Sequence, residues 1–471
     1  MALIKSISGI RGTIGGASGK GLTPVDVVKY TAAFGSWVKQ QSKSQRIHIV
    51  VGRDARISGD MVNNLVLGTL QGLGIDAIDI GLSTTPTVEI AVPEEHADGG
   101  IIITASHNPK QWNALKLLNE KGEFISEQEG EQVLRIAEQE QFSFAEVNVL
   151  GKIKRNDTYF QKHISKILGL SLVDVQAIRS RKFKVVIDCV NSSGGVVVPL
   201  LLNALGVEDI VKIGCEPNGE FQHNPEPLPE NLRELAKTVA KSKAHLGIAV
   251  DPDVDRLAIV SEDGEMFGEE YTLVAVADYV LKNNPKAGHT VSNLSSTRAL
   301  RDITEKAGGN YAASAVGEVN VIRLMKEFKA LIGGEGNGGI IYPELHYGRD
   351  ALVGIALFLS HLAKYGKSCS MLRSIYPGYH ISKNKIELIP ELNVDLVLKG
   401  IQEKYKKHPI NTIDGLKIEF NSKEWVHLRK SNTEPIIRIY SESESETTAD
   451  NLAKKIMLDI RELIKTQRIV Q

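Results

Sequence analysis

Short runs of β-branched and other apolar residues that stop at small or polar ones recur along the chain: RIHIVVG at 46–52, GGIIITAS at 99–106 and FKVVIDCV at 183–190. Runs this apolar predict strands covered on both faces. The positions between them follow helical spacing. Thr23 and Pro24 open one such stretch, to Gln40, as a hydroxyl N-cap with proline at the first helical position, and Ser58 and Gly59 precede another over Asp60–Gly72. Strand followed by helix, repeated, predicts α/β units. The alternation restarts at HIVVGRDARISGD, KVVIDCVNSSGG and TVSNLSSTRALRD, which points to three related α/β domains. After Pro377 the pattern becomes a strand KIELIP, a basic helix with EKYKKHP, a hairpin DGLKIEFNSKEWVHLR, a strand PIIRIYSES and an amphipathic helix from Thr447. This predicts a smaller α+β unit. The expected domains are residues 1–150, 151–262, 263–374 and 375–471.

Composition narrows the class. Lys+Arg 56 against Asp+Glu 57 leave a net charge of -1, which removes any whole-chain attraction to nucleic acid or anionic membrane. No apolar run reaches the roughly 18 residues of a membrane span, and MALIKSISGIRGT lacks the apolar core of a secretory signal, so a cytoplasmic protein is expected. Cys189, Cys215 and Cys369 are odd in number and widely spaced, which predicts buried, inert thiols rather than a disulfide framework or zinc site.

Five segments carry candidate chemistry. In AVDPDVDRLAI, Asp251, Asp253 and Asp255 alternate after a strand that Pro252 interrupts. Three carboxylates this close repel unless a cation lies among them, and oxygen ligands suit a hard ion such as Mg²⁺. Apolar Leu257–Val260 stand where a calcium loop needs its later ligands. Ser106 in TASHNP ends an apolar run in a turn whose amides could face a substrate, or could simply cap a helix. Arg429, Lys430, Ser431, Asn432 and Thr433 share one turn between strands, with Arg438 beyond, a donor set suited to phosphate or to an ordinary polar loop. In GGEGNGGIIYP, glycines crowd around Glu335 and Asn337, allowing close backbone approach to a ligand. SGIRG places Arg11 in what reads as a glycine-flanked loop with an exposed guanidinium.

In their order, SGIRG, TASHNP, DPDVDR, GEGNGG and RKSNTEP resemble the α-D-phosphohexomutase superfamily over essentially the whole chain. The resemblance implies three related mixed-sheet α/β domains and a C-terminal α+β domain similar to the TATA-box-binding-protein fold. It implies Ser106 as the phosphoserine, with Asp251, Asp253 and Asp255 holding Mg²⁺ beside it. Lys116 would be the general acid/base, its pKa lowered by burial next to Arg11, with His107 in support. Arg256 would position the substrate, and Glu335 and Asn337 would bind sugar hydroxyls. Arg429, Ser431, Asn432, Thr433 and Arg438 would grip the phosphate that is not reacting.

The implied reaction passes through a hexose 1,6-bisphosphate. Glucosamine 6-phosphate to glucosamine 1-phosphate is the leading substrate pair, and a broad phosphomannomutase/phosphoglucomutase is the alternative. An inactive sugar-phosphate-binding relative and a metal-dependent phosphatase are the remaining rivals. GEGNGG lacks the histidine of the Gly-Glu-Gln-Ser-Gly-His and Gly-Glu-Met-Ser-Gly-His types of this loop, and RKSNTEP departs from the RPSGTEP form. A small sugar phosphate is the expected partner, with no nucleic acid or membrane, for a monomer or homodimer.

Overall fold

A computed structural model describes residues 2–6, 9–284, 286–387, 393–430 and 436–470. They fall into two compact units, Met1–Tyr279 with Asn337–Arg373, and Val280–Gly336 with Ser374–Gln471.

The first unit contains two mixed sheets. In the seven-stranded one, His48–Arg53 lies between the parallel strands Asp76–Leu82 and Gly99–Ile103. Trp112–Leu118, Gly9–Thr13 and Leu3–Ser6 extend it on one side by antiparallel pairing, and Ile153–Arg155 closes the other edge. Helix Pro24–Gln41 starts as the sequence predicts, with a capping box in which Thr23 and Asp26 satisfy each other's backbone amides. Its Phe34 and Trp37 stack in the core against Ile49, Val51, Ile101 and Ile103. The second sheet runs Leu257–Ser261, Leu246–Val250, Lys184–Asp188, Asp209–Ile213, antiparallel only at its first pair.

Two expectations change here. Arg11 is not in a loop: Gly9–Thr13 is a strand and Arg11 faces Ala114 across the ladder. The flanking glycines serve close approach instead, since a Cβ on Gly9 would stand 2.1 Å from the Leu115 carbonyl oxygen. Nor are all three thiols buried. Cys189 and Cys369 are, but Cys215 is half-buried and its Sγ donates to the Ile213 carbonyl at 3.3 Å.

In the second unit Thr290–Asn293 lies parallel to Tyr311–Ser314 and Ile332–Glu335. A separate antiparallel sheet has the order His380–Glu387, Ile436–Ser443, Glu424–Lys430, Leu416–Asn421, Ile410–Asn411. Helices Val394–Lys404 and Glu446–Val470 contribute Val397, Ile401, Ile456 and Ile460 to a core with Ile418, Leu428 and Ile439. The basic helix ends at Lys404, short of the expected KKHP. Pro409, with no N–H to donate, lies in the stretch leading to the next strand. Among the described residues no helix is long and apolar enough to cross a membrane.

Candidate active site

Ser106 follows the strand Gly99–Ile103 in a turn that its neighbours over-determine. Its φ of 49° is unusual for a residue with a side chain. The Thr104 hydroxyl accepts the Ser106 amide at 2.9 Å and donates to Asp54 at 2.7 Å. Fully buried Arg56 completes the brace. Its Nε donates to Asp54, and its Nη atoms donate to the carbonyls of Ser106, Asn108, Pro109 and Trp112. Four carbonyls on one guanidinium hold the TASHNP turn rigid and leave the Ser106 side chain free to point elsewhere.

It points at the acidic loop. Ser106 Oγ donates to Asp251 Oδ2 at 2.9 Å and lies 3.2 Å from His107 Nδ1. Burial, then the charges of Arg256 and Arg11, push the His107 ring well below its usual pKa, so it is neutral. Arg11 itself donates to the Asn108 side chain at 2.8 Å.

Asp251, Asp253 and Asp255 are fully buried, with one oxygen from each within 4.8 Å of the others. Asp251 Oδ1 accepts the amides of Asp255 and Arg256, which folds the loop back on itself, and Ser192 donates to the Pro252 carbonyl. Burial and the two neighbouring carboxylates raise the Asp251 pKa far above the usual range. Burial acts on Asp253 too, but Lys116 and Thr85 outweigh it and keep that carboxylate ionised. Oδ1 of Asp253 and Oδ1 of Asp255 have no hydrogen-bond partner among the described residues. Buried carboxylate oxygens left open in this way fit a hard divalent cation.

Two cations flank the loop. Lys116 Nζ is 2.7 Å from Asp253 Oδ2 and 3.6 Å from Asp255 Oδ2. The expected lowering of its pKa is therefore reversed: burial alone would lower it, but the two carboxylates more than compensate and raise it. The arginine whose charge opposes its protonation is Arg349, which donates to Asp255 Oδ2 at 2.7 Å. Arg256 Nη1 binds Glu226 at 3.1 Å. Asn337 makes a local turn bond to the Gly339 amide at 3.1 Å.

In the second unit buried Glu335 accepts from Asn293 Nδ2 at 2.9 Å and from the Gly317 amide at 3.1 Å. Arg429 and Arg438 are directly opposed on neighbouring antiparallel strands, and Arg429 Nε donates to Asp414 at 2.9 Å. Ser431, Asn432 and Thr433 lie outside the described residues.

Four family profiles cover this chain in order. They are described as phosphoglucomutase/phosphomannomutase alpha/beta/alpha domain I at residues 3–144, domain II at 158–264, domain III at 268–379, and the C-terminal domain at 385–458. The chain belongs to the phosphoglucomutase/phosphomannomutase family. It is a phosphohexomutase, an isomerase of the α-D-phosphohexomutase superfamily. It is 35% identical over 441 residues to a phosphoglucomutase/phosphomannomutase of Thermococcus kodakarensis, covering 93% of this chain and 95% of that one. It is 34% identical over 461 residues to a phosphoglucosamine/phosphogalactosamine mutase of Sulfurisphaera tokodaii, covering 97% and 98%. A phosphoglucomutase/phosphomannomutase family protein of Burkholderia thailandensis superposes with a TM-score of 0.84 at 26% identity, over 99% of this chain and 97% of that one.

Several side chains in this phosphohexomutase carried no sequence signal of their own. Arg56 sits in a glycine- and aspartate-rich turn like many solvated arginines, and Arg349 precedes a helix whose cap, Asp350, is the more legible residue. Thr85, which donates to Asp253 at 2.6 Å, reads as an ordinary helix start.

Proposed function

We propose that this phosphohexomutase moves a phosphoryl group between positions 6 and 1 of a hexose phosphate through Ser106, with glucosamine 6-phosphate as the leading substrate. The observation that carries the reading is the contact of Ser106 Oγ with Asp251, in a loop of three buried carboxylates whose open oxygens suit a divalent cation. A nucleophile needs little else here, because phosphoryl transfer depends mainly on positioning and on compensation of charge.

Asp251, Asp253 and Asp255 would hold Mg²⁺, which when bound supplies positive charge against the charge spread over the transferring phosphoryl oxygens. Ser106 Oγ carries the phosphoryl group, gives it to the sugar hydroxyl to form the 1,6-bisphosphate, and takes the other phosphate back. The Arg56 brace keeps Oγ in one place through both transfers. Lys116 Nζ, held protonated by Asp253 and Asp255, gives its proton to Ser106 Oγ as the bond to phosphorus breaks and takes the proton of the attacking sugar hydroxyl, and the second transfer runs the same exchange in reverse. Neutral His107 accepts or donates a hydrogen bond at Ser106 without adding charge. Arg256 orients the substrate.

Glu335 and Asn337 read sugar hydroxyls, and Arg429 and Arg438, with Ser431, Asn432 and Thr433, grip the phosphate at the far end. Arg429 and Arg438, directly opposed across the ladder, bring two guanidinium groups together, a donor set that suits phosphate and supports this assignment. The same clamp serves both half-reactions, since it holds whichever phosphate is not reacting.

The broad phosphomannomutase/phosphoglucomutase reading stays as the second, favoured by the RKSNTEP loop and by the Thermococcus relative's name. A coupled assay with Mg²⁺ and catalytic hexose 1,6-bisphosphate decides between them by kcat/KM for the 6-phosphates of glucosamine, glucose and mannose. A preference for glucosamine of about a hundredfold, roughly 2.7 kcal/mol at the transition state, supports the first reading. Comparable rates on glucose and mannose support the second. Free phosphate formed faster than isomer would contradict both.

A further inference from the structure

The turn between Ile410–Asn411 and Leu416–Asn421 holds an acid that the mechanism has not used. Gly415 lets Asp414 come close to the neighbouring strand: its φ is 73°, and a Cβ there would stand 2.2 Å from the Leu428 carbonyl oxygen. Asp414 is then fixed from two directions. Its Oδ2 accepts the Val316 amide at 2.9 Å, and its backbone carbonyl lies 2.6 Å from His427 Nε2. A carbonyl can only accept, so His427 Nε2 carries the proton and Nδ1 accepts from Ser295 Oγ at 2.8 Å. Ser295 in turn donates its amide to Asn293, which binds Glu335, and Glu335 also accepts from Gly317, next to Val316. The ring of bonds closes.

Into this frame Arg429 is tied by Nε, 2.9 Å from Asp414 Oδ1 and 2.8 Å from Oδ2. A guanidinium held along its Nε edge keeps its two Nη groups pointing one way, and it is pre-organised because the holding carboxylate cannot itself move. Asp414 also offsets part of the repulsion between Arg429 and Arg438. We propose that Asp414 is a positioning residue of the phosphate clamp, fixing the Arg429 guanidinium in a hydrogen-bonded frame shared with Glu335. The inference rests on the assignment of Arg429 to phosphate binding.

The test is the inhibition constant of inorganic phosphate, together with KM and kcat on the preferred sugar 6-phosphate, for D414A, D414N, D414E, R429A and D414A/R429A in the full-length enzyme. D414A is expected to weaken phosphate inhibition about tenfold and raise KM similarly, with kcat within about threefold of the parent. Phosphate should inhibit the double variant no more weakly than it inhibits R429A, because Asp414 acts through Arg429. D414E, which keeps the carboxylate, should recover part of the loss. Should D414A lower the melting temperature sharply, D414N serves instead, since its amide oxygen still accepts the Val316 N–H but lacks the charge that holds the guanidinium. Phosphate inhibition unchanged in D414A and D414N while R429A weakens it overturns the positioning role alone, as do losses that add fully in the double variant. Inhibition unchanged in R429A itself overturns the clamp assignment and this inference with it.

Discussion

Around Ser106 the first unit buries Asp54, Asp251, Asp253, Asp255, Lys116, Arg56, Arg256 and Arg349 almost completely. The second unit leaves Arg429 and Asp414 with 23% and 19% of their side chains exposed. The difference follows from what each region handles. Charge develops on the transferring group, and compensation there is strongest where water is excluded and no group must reorganise. The carboxylates of the first unit are accordingly under-compensated: Asp251 is pushed up in pKa and two oxygens stay open. On the proposed reading, a clamp that must release one phosphate and accept another works with an ion pair that stays partly open to solvent, where binding is reversible. Buried under-compensation fits the proposed catalytic role, and a partly exposed ion pair fits the proposed exchange of phosphates.

The harshest way to break this comparison is Ser106→Ala. It removes the phosphoryl acceptor and should cut turnover by on the order of 10⁴- to 10⁶-fold, while sugar-phosphate binding by calorimetry stays measurable. Near-normal turnover would remove Ser106 from the mechanism. Arg349→Ala comes next. It strips Asp255 of a buried partner and should lower kcat about 100-fold with a smaller change in KM, part of it regained in Arg349→Lys. An effect confined to KM would place Arg349 with the recognition groups. Arg429→Ala should do the reverse, raising KM by about 30- to 150-fold, or 2 to 3 kcal/mol, with little loss of kcat.

The smallest effect sharpens the comparison through pH. Burial lowers the His427 pKa to about 4, against about 6.5 in the unfolded chain. Between those values the unfolded state binds the extra proton, so stability contributed by this site is full above pH 6.5 and is lost as pH falls towards 4. The loss amounts to roughly 3 kcal/mol in all. His427→Gln should flatten the fall in denaturation midpoint over that window, and an unchanged slope would mean that other groups carry it.

Much of the first unit was legible because its signals are local. Thr23 and Pro24 mark a helix start, and the apolar runs at 46–52, 99–106 and 183–190 each overlap a strand of the structure. Asp251, Asp253 and Asp255 could be read together because one loop carries them all. What stayed hidden was long-range. Arg56 braces a turn some fifty residues away, and Arg349 meets Asp255 across 94 positions of sequence. No periodicity records such a contact. Glycine misled in one place: SGIRG reads as a flexible loop, yet Gly9 allows two strands to pass at close range, so Arg11 sits in a ladder. Burial misled in another, since Lys116 is buried as expected but its charge is set by Asp253 and Asp255.

The most direct test of the account is to map the phosphoryl group. The purified enzyme is incubated with Mg²⁺ and a hexose 1,6-bisphosphate, digested, and its peptides are read by mass spectrometry before and after a chase with hexose 6-phosphate. With isotope-labelled phosphoryl groups on the bisphosphate, the account predicts one labelled phosphoryl group, on Ser106, replaced by an unlabelled one during the chase at the rate of turnover. A phosphoryl group on another residue, or isomer formed with Ser106 unmodified throughout, would contradict it.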